Sequence, residues 1–340
     1  MVPVMSNKKF LLLRFSSIGD ILLTTPIVRC LKNAYPESEI IYLTKKNYLP
    51  LLEGNPYIDR LIGIQNNVFE IKKLLKQQKP DEIIDLHKNL RTWQVRLMNY
   101  DSKYGTFNKI NLKKWLAVRF KKLSILPDMH VVDRYFEAVR HLNVVYDGQG
   151  LDYFFKDKNV NVSGLPQKYV VWVVGAKFAT KAVPVEKSAE IIAALSFPVV
   201  LIGGKEDIPK SQLIMNKLKN YEVYDFCGKT DFDESAYIIE HSIGVITPDT
   251  GMMHMAAALK KKIVVIWGNT VPQFGMYPLL PNDLKHYYLP FEVNHLSCRP
   301  CSKLGFEKCP KSHFKCMNDH DAQMIAKKSK ITIWVDELSQ

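Results

Sequence analysis

The chain has 340 residues, 47% of them apolar, which is enough for two buried cores at roughly 150 residues per domain and excludes wholesale disorder. Its 47 Lys and Arg outnumber 34 Asp and Glu, and the net charge of +13 favours an acidic partner: phosphates, nucleic acid or an anionic membrane face. The cations are spread along the chain, with local clusters such as Lys113, Lys114, Arg119, Lys121 and Lys122, and that spread argues against a dedicated nucleic-acid arm.

The N-terminus, Met1 to Phe10, has no signal-peptide apolar region, and no stretch reaches the roughly 18 apolar residues of a membrane span. A cytoplasmic protein is expected, with docking on a membrane surface left open. Phe10 to Arg14 reads as the first strand, Ser16 to Asp20 as a turn, and Ile21 to Ala34 as a helix ending at Tyr35-Pro36. Glu39 to Thr44 and Glu82 to Leu86 are further strands, followed by a helix-rich basic segment from Leu90 to Asn143. The polar stretch Lys156 to Gln167 is the linker candidate. Beyond it come strands at Tyr169 to Val174, Pro198 to Ile202, Ile243 to Thr247 and Ile263 to Trp267, with helices at Val185 to Leu195, Ser235 to His241 and Met252 to Leu259.

This alternation is the signature of parallel α/β sheets. It predicts two domains, residues 1–160 and 161–340, with the last helix left free to pack back on the first. In open parallel sheets ligands bind at the carboxyl ends of the strands, so the loops that follow strands are the candidate sites.

In the first such loop, Arg14 to Asp20, Gly19 permits a tight turn and Asp20 stands where the helix begins. Asp20 serves there either as a helix-capping carboxylate or as a general base. In the second, Gly175 to Lys181, Thr180 offers a hydroxyl and Lys177 and Lys181 offer cations. With backbone amides of a helix starting near Pro184, these residues suit a diphosphate; a solvated basic loop is the alternative. In the third, Thr247 to His254, Asp249 and Thr250 can cap a helix or accept sugar hydroxyls, and Gly251 lets a ligand approach backbone N–H groups. His254 follows one turn on, where a lone histidine is more often structural. Cys298 and Cys301 have metal-ligand spacing and are followed by Cys309 and Cys316; a structural zinc and ordinary thiols are both open readings. Cys30 and Cys227 read as buried thiols.

Together these segments resemble glycosyltransferase family 9, the heptosyltransferases, in order and over nearly the whole chain. The resemblance is carried by Leu11 to Pro26, Asp85-Leu-His-Lys-Asn-Leu-Arg91, His130-Val-Val-Asp-Arg-Tyr135, Asp249-Thr-Gly-Met-Met-His254 and the Cys298 to Cys316 segment. It implies a GT-B architecture: two Rossmann-like domains facing a central cleft, the C-terminal one binding the nucleotide-sugar and the N-terminal one the acceptor. It further implies transfer of a heptose from an ADP-activated donor, ADP-heptose, to a lipopolysaccharide inner-core or lipid A precursor acceptor. The transfer would proceed with inversion, with no catalytic metal, no required cofactor and no nucleic-acid partner, at the inner face of the inner membrane.

Residue by residue, Asp20 matches the family's proposed base, with Ser17, Gly19 and Arg91 on the acceptor side. Lys181 matches its phosphate-binding lysine. Asp249, Thr250, Gly251 and His254 match its donor-binding turn, and Thr180 and Glu206 complete the donor set. The chain departs from the family pattern with Val173-Val174-Gly175 in place of His-Pro-Gly and Val183-Pro184 in place of Trp-Pro, which leaves the donor sugar and base open.

Two other classes stand beside this reading. A nucleotide-sugar epimerase or oxidoreductase is opposed by the lack of Gly-x-Gly-x-x-Gly after the first strand. A non-catalytic nucleotide- or nucleic-acid-binding module is suggested by charge alone.

Overall fold

The computed structural model describes residues 8–333, with side chains through residue 330; the chain ends, residues 1–7 and 334–340, lie outside the described residues. The chain divides into two compact units, Met1–Lys109 with Met129–Lys158, and Ile110–Asp128 with Asn159–Gln340.

In the first unit the elements run β1 (Lys9–Leu13), α1 (Ile18–Leu22), α2 (Thr25–Ala34), β2 (Glu39–Lys45), β3 (Arg60–Ile64), α3 (Lys72–Gln78), β4 (Glu82–Asp85), α4 (Leu90–Met98) and β5 (Lys103–Thr106). The sheet order is β3-β2-β1-β4-β5, parallel throughout. The apolar runs of β1 and β4 are buried along almost their whole length, as expected for strands covered on both faces. The helix expected over Ile21 to Ala34 is two helices. Pro26 has no N–H to continue the ladder, and the Thr24 and Thr25 hydroxyls donate instead to the Ile21 and Leu22 carbonyls, at 2.6 and 2.8 Å.

The chain continues with α5 (Asn111–Phe120) and α6 (Val131–Phe136). The stretch Ile110–Asp128, which the sequence placed with the N-terminal domain, groups with the second unit. The reason is packing: Ala117 and Leu126 bury with Val271 and Phe274 in a small apolar cluster of their own.

The second unit contains β6 (Val170–Val173), α7 (Val185–Leu195), β7 (Val199–Ile202), α8 (Ile208–Lys217), β8 (Val223–Asp225), α9 (Phe232–Glu240), β9 (Gly244–Pro248), α10 (Gly251–Ala258), β10 (Ile263–Trp267), β11 (Tyr288–Glu292), α11 (Lys315–Asn318) and α12 (Ala322–Ile333). Its order, β11-β10-β9-β6-β7-β8, is the doubly wound arrangement with all neighbours parallel. Ile325 and Ala326 of α12 join the second unit's core, beside Ile191, Ile192 and Leu195 of α7.

In both units the strand order reverses at the first strand. The reversal falls between β1 and β4 in one unit and between β6 and β9 in the other. The loops after those four strands therefore splay apart and leave a crevice at the carboxyl ends.

Candidate active site

The candidate loops after β1, β6 and β9 fall at these reversal points, and Glu206 follows β7 beside one, whereas the cysteine segment follows the edge strand β11. In the first unit, Arg14 leaves the end of β1 and is buried. Its Nε donates to the Ser16 carbonyl at 2.8 Å, and its Nη1 to the Leu86 carbonyl at 2.5 Å and to the Tyr135 hydroxyl at 3.1 Å. Its Nη2 lies 2.5 Å from Asp20 Oδ1. Burial works against the Arg14 cation, but Asp20, with Tyr135 and Tyr42, outweighs it and raises the guanidinium further.

Asp20 sits at the third position of α1, and its Oδ2 accepts from the Ser17 hydroxyl at 2.8 Å and the Ser17 N–H at 3.2 Å. It closes the start of the helix through Ser17 and remains a partly exposed carboxylate of fixed direction. Gly19 is buried inside α1.

After β4, Asp85 is buried and its carboxylate accepts from the His87 N–H at 2.9 Å, the Lys88 N–H at 2.6 Å and the Tyr104 hydroxyl at 2.5 Å. Asn89 and Thr92 then cap α4 reciprocally, at 3.0 and 2.9 Å, which sets Arg91 in its first turn, half exposed. Between these groups stands His87, to which the sequence assigned no role. The Phe15 N–H donates to its Nδ1 at 3.3 Å, so a neutral ring carries its proton on Nε2. Burial, then the cations Arg14, Lys109 and Arg91, push His87 down from its ordinary 6.5 to about 3, with Asp20 opposing.

Because the unfolded chain takes up this proton first, stability should decline as pH falls from about 6.5 towards about 3, and be fully present above that range. His87→Asn, which keeps an acceptor for the Phe15 N–H, should flatten the decline. Urea midpoints at pH 7.5 and 5 check this, and an equal acid loss in the variant and the parent refutes it.

In the second unit, Lys181 in the β6 loop lies 2.7 Å from Asp249 Oδ2 in the β9 loop. The Thr270 hydroxyl donates to the same oxygen at 2.7 Å. Thr250 is the N-cap of α10 and Gly251 its first residue, so the amino end of that helix opens beside the pair. The carboxyl side of β7 comes close as well: a Cβ on Gly175 would overlap the Asp207 carboxylate, and one on Gly204 the Glu206 carboxylate. Glu206 itself is exposed in this turn. Lys210, unmarked in the sequence, donates to the Val174 carbonyl at 3.1 Å beneath the β6 loop, and burial lowers it to about 8.

Two of this unit's candidate residues are buried. Thr180 is buried, its hydroxyl donating to the Phe306 carbonyl at 3.1 Å and accepting from the Phe306 N–H at 2.8 Å. It anchors the 298–316 loop through that loop's backbone. His254 is buried within α10.

The four C-terminal cysteines lie near one another, since Cys301, Cys309 and Cys298 each act on the Cys316 thiol. All six cysteines are free, and among the described residues no three His, Cys, Asp or Glu side chains are placed to hold a metal ion. The Cys301 thiol donates to the Cys298 carbonyl at 3.0 Å, and Cys298 Sγ lies 3.8 Å from His313 Nε2. Burial raises Cys301 to about 11 and Cys316 to about 12, where the protonated thiol is the stable form.

Arg299 between the two cysteines is what ties the loop down. It donates to the Gly268 carbonyl at 2.6 Å and the Thr270 carbonyl at 2.8 Å, and pairs with Glu292 at 2.7 Å. Since Thr270 holds Asp249, Arg299 is a positioning residue for the Lys181–Asp249 pair. Arg299→Met should cost about 2 kcal/mol of stability by stranding Glu292, while Arg299→Lys should recover part of it. Urea unfolding of the three proteins checks this, and an unchanged midpoint in Arg299→Met overturns the role.

A model of glycosyltransferase family 9 (heptosyltransferase) matches residues 68–303. The chain belongs to glycosyltransferase family 9. Lipopolysaccharide heptosyltransferase 3 of Escherichia coli (strain K12) is 28% identical over 282 residues, covering 74% of this chain and 80% of that protein. Lipooligosaccharide heptosyltransferase 2 of Haemophilus influenzae is 25% identical, covering 76% of this chain and 83% of that protein. Among solved structures, a family 9 glycosyltransferase from Veillonella parvula superposes with a TM-score of 0.74 at 18% identity, covering 97% of this chain and 98% of that one. The E. coli ADP-heptose LPS heptosyltransferase II gives 0.71 at 18% identity, covering 97% and 99%. The fold is thus the α/β GT-B class, and the protein is a glycosyltransferase of family 9. The family match begins after Asp20, so the role of that residue rests on its geometry.

Proposed function

We propose that this family 9 enzyme moves a heptose, with inversion and without a catalytic metal, from ADP-heptose to an inner-core lipopolysaccharide or lipid A precursor acceptor. The observation that carries the reading is the Lys181–Asp249 pair, formed where the second unit's strand order reverses and next to the amino end of α10. A cation and outward-pointing helix amides are what a departing nucleoside diphosphate requires. The named relatives, lipopolysaccharide and lipooligosaccharide heptosyltransferases, support the sugar and acceptor classes.

In this mechanism the acceptor hydroxyl oxygen bonds to the anomeric carbon as the carbon–oxygen bond to the diphosphate breaks. The hydroxyl proton passes to Asp20, which must lie within about 3 Å of it. The electron pair leaves with the diphosphate, whose charge is met by Lys181 and the Gly251 end of α10. Asp249 orients Lys181 before the donor arrives. Arg91 offers its guanidinium to the acceptor's acidic groups, with Ser17 and Gly19 shaping the turn that presents Asp20. Glu206 and Thr250 complete the donor side. The reaction runs on the cytoplasmic side of the membrane; among the described residues no helix is long and apolar enough to cross one.

A donor panel tests the reading. ADP-heptose should raise the thermal midpoint more than other nucleotide sugars do, by mass action. With a lipid A precursor acceptor it should then yield ADP and an inverted product, undiminished by chelator. Stabilisation by a different nucleotide sugar alone, or a retained anomeric configuration, would overturn it.

A further inference from the structure

From Ile110 to Pro127 the sequence carries five Lys and Arg and no Asp or Glu, within the second unit's outlying helix α5 and the turn after it. The inner side of this segment is accounted for. Ala117 and Leu126 are buried with Val271 and Phe274, Lys114 lies over the Phe274 ring, and Lys121 donates to the Pro300 carbonyl. The outer side is not accounted for by the fold. Leu112 is 69% exposed, Trp115 57% and Phe120 63%, three large apolar side chains within nine residues. Lys113, Arg119 and Lys122 are exposed among them.

We propose that this outward side of α5 docks the protein on an anionic lipid surface. Leu, Trp and Phe enter the headgroup–acyl boundary while the interleaved cations meet the lipid phosphates, the usual division of labour in an interfacial helix. Charge and chemistry together select this partner. A nucleic acid would use the cations and stack on Trp115, but offers nothing to Leu112. A second copy of this chain, at net charge +13, would bring cations against cations. The exposed stripe Leu90, Trp93 and Leu97 on α4 has the apolar part but a sparser set of charges.

The test uses the full chain and vesicles, without donor or acceptor, so its outcome is independent of the transferase reading. The parent should float with phosphatidylcholine vesicles containing about one third phosphatidylglycerol, and at least tenfold less with phosphatidylcholine alone. Lys113→Gln/Arg119→Gln/Lys122→Gln should weaken binding by about fivefold per charge removed. Leu112→Ser/Trp115→Ser/Phe120→Ser should abolish binding, with the thermal midpoint unchanged because the three side chains are already in water. Trp fluorescence should shift to the blue on vesicles in the parent and not in Trp115→Ser. Parent-like flotation of the apolar triple variant overturns the proposal. So does tight binding to single-stranded RNA with none to vesicles, or loss of flotation only on substituting Leu90, Trp93 and Leu97.

Discussion

Asp20→Asn should lower kcat by about a hundredfold or more while the protein still folds. The substitution is nearly isosteric, so the Ser17 hydroxyl and N–H keep an acceptor in place of Oδ2. What disappears is the charge opposite Arg14 and the capacity to take a proton. Arg14 keeps its bonds to the Ser16 and Leu86 carbonyls and to Tyr135, so the buried guanidinium is not stranded. The stability cost is then that of a weakened charge-assisted hydrogen bond, about 1–3 kcal/mol. Turnover and stability therefore separate. A carboxylate that only capped α1 would lose stability and leave kcat intact. Wild-type-like turnover in a folded Asp20→Asn protein, measured as nucleoside diphosphate release, would falsify the assignment. Ser17→Ala provides the internal comparison: it loosens Asp20 without removing it, and should cost far less than the loss of the carboxylate.

The fold was legible where burial is symmetrical. Strands β1, β4, β6, β7, β9 and β10 are apolar runs covered on both faces, and they stand out in the sequence for that reason. The strands that the sequence did not reveal, β3, β5, β8 and β11, are the four sheet edges. An edge is half wet, so Lys103, Asp225 and Arg60 are tolerated there, and Pro290 can sit in β11 where no ladder partner needs its missing N–H.

The site divides along similar lines. The positions of Asp20, Lys181 and Asp249 were readable because each comes directly after an interior strand, Asp20 in the helix that follows β1 and the other two in the loops after β6 and β9. His87 was hidden because its character comes first from burial and then from Arg14 and Lys109, distant from it in sequence but close in space. The anchoring bonds of Thr180 were hidden for a related reason. A hydroxyl in a phosphate-like loop is suggestive, but its partner Phe306 lies 126 residues away. Within the cysteine spacing that suggested zinc, the arginine between the first two cysteines ties the loop to the sheet, a role its spacing does not signal.

Lys181→Ala should lower kcat by about 10²–10³-fold, or roughly 3–4 kcal/mol of transition-state stabilisation. The size follows from when the charge develops. In the ground state the donor's diphosphate already carries its negative charges, and Lys181 contributes to binding. As the anomeric bond breaks, further charge accumulates on the leaving oxygen, and a cation held at this place acts mainly on that increment. The effect should therefore appear in kcat as well as in the donor KM. A rise in KM with kcat unchanged would mean that Lys181 only binds. The pair with Asp249 sharpens this distinction. Asp249 and the diphosphate compete for the same ammonium, so Asp249 holds Lys181 in place at rest and must share it when the donor is bound. Asp249→Asn removes the competitor but leaves Thr270 an oxygen to bond, and should lower kcat less than Lys181→Ala does. Equal losses in the two variants would indicate that orientation of the lysine, not its charge, limits the reaction.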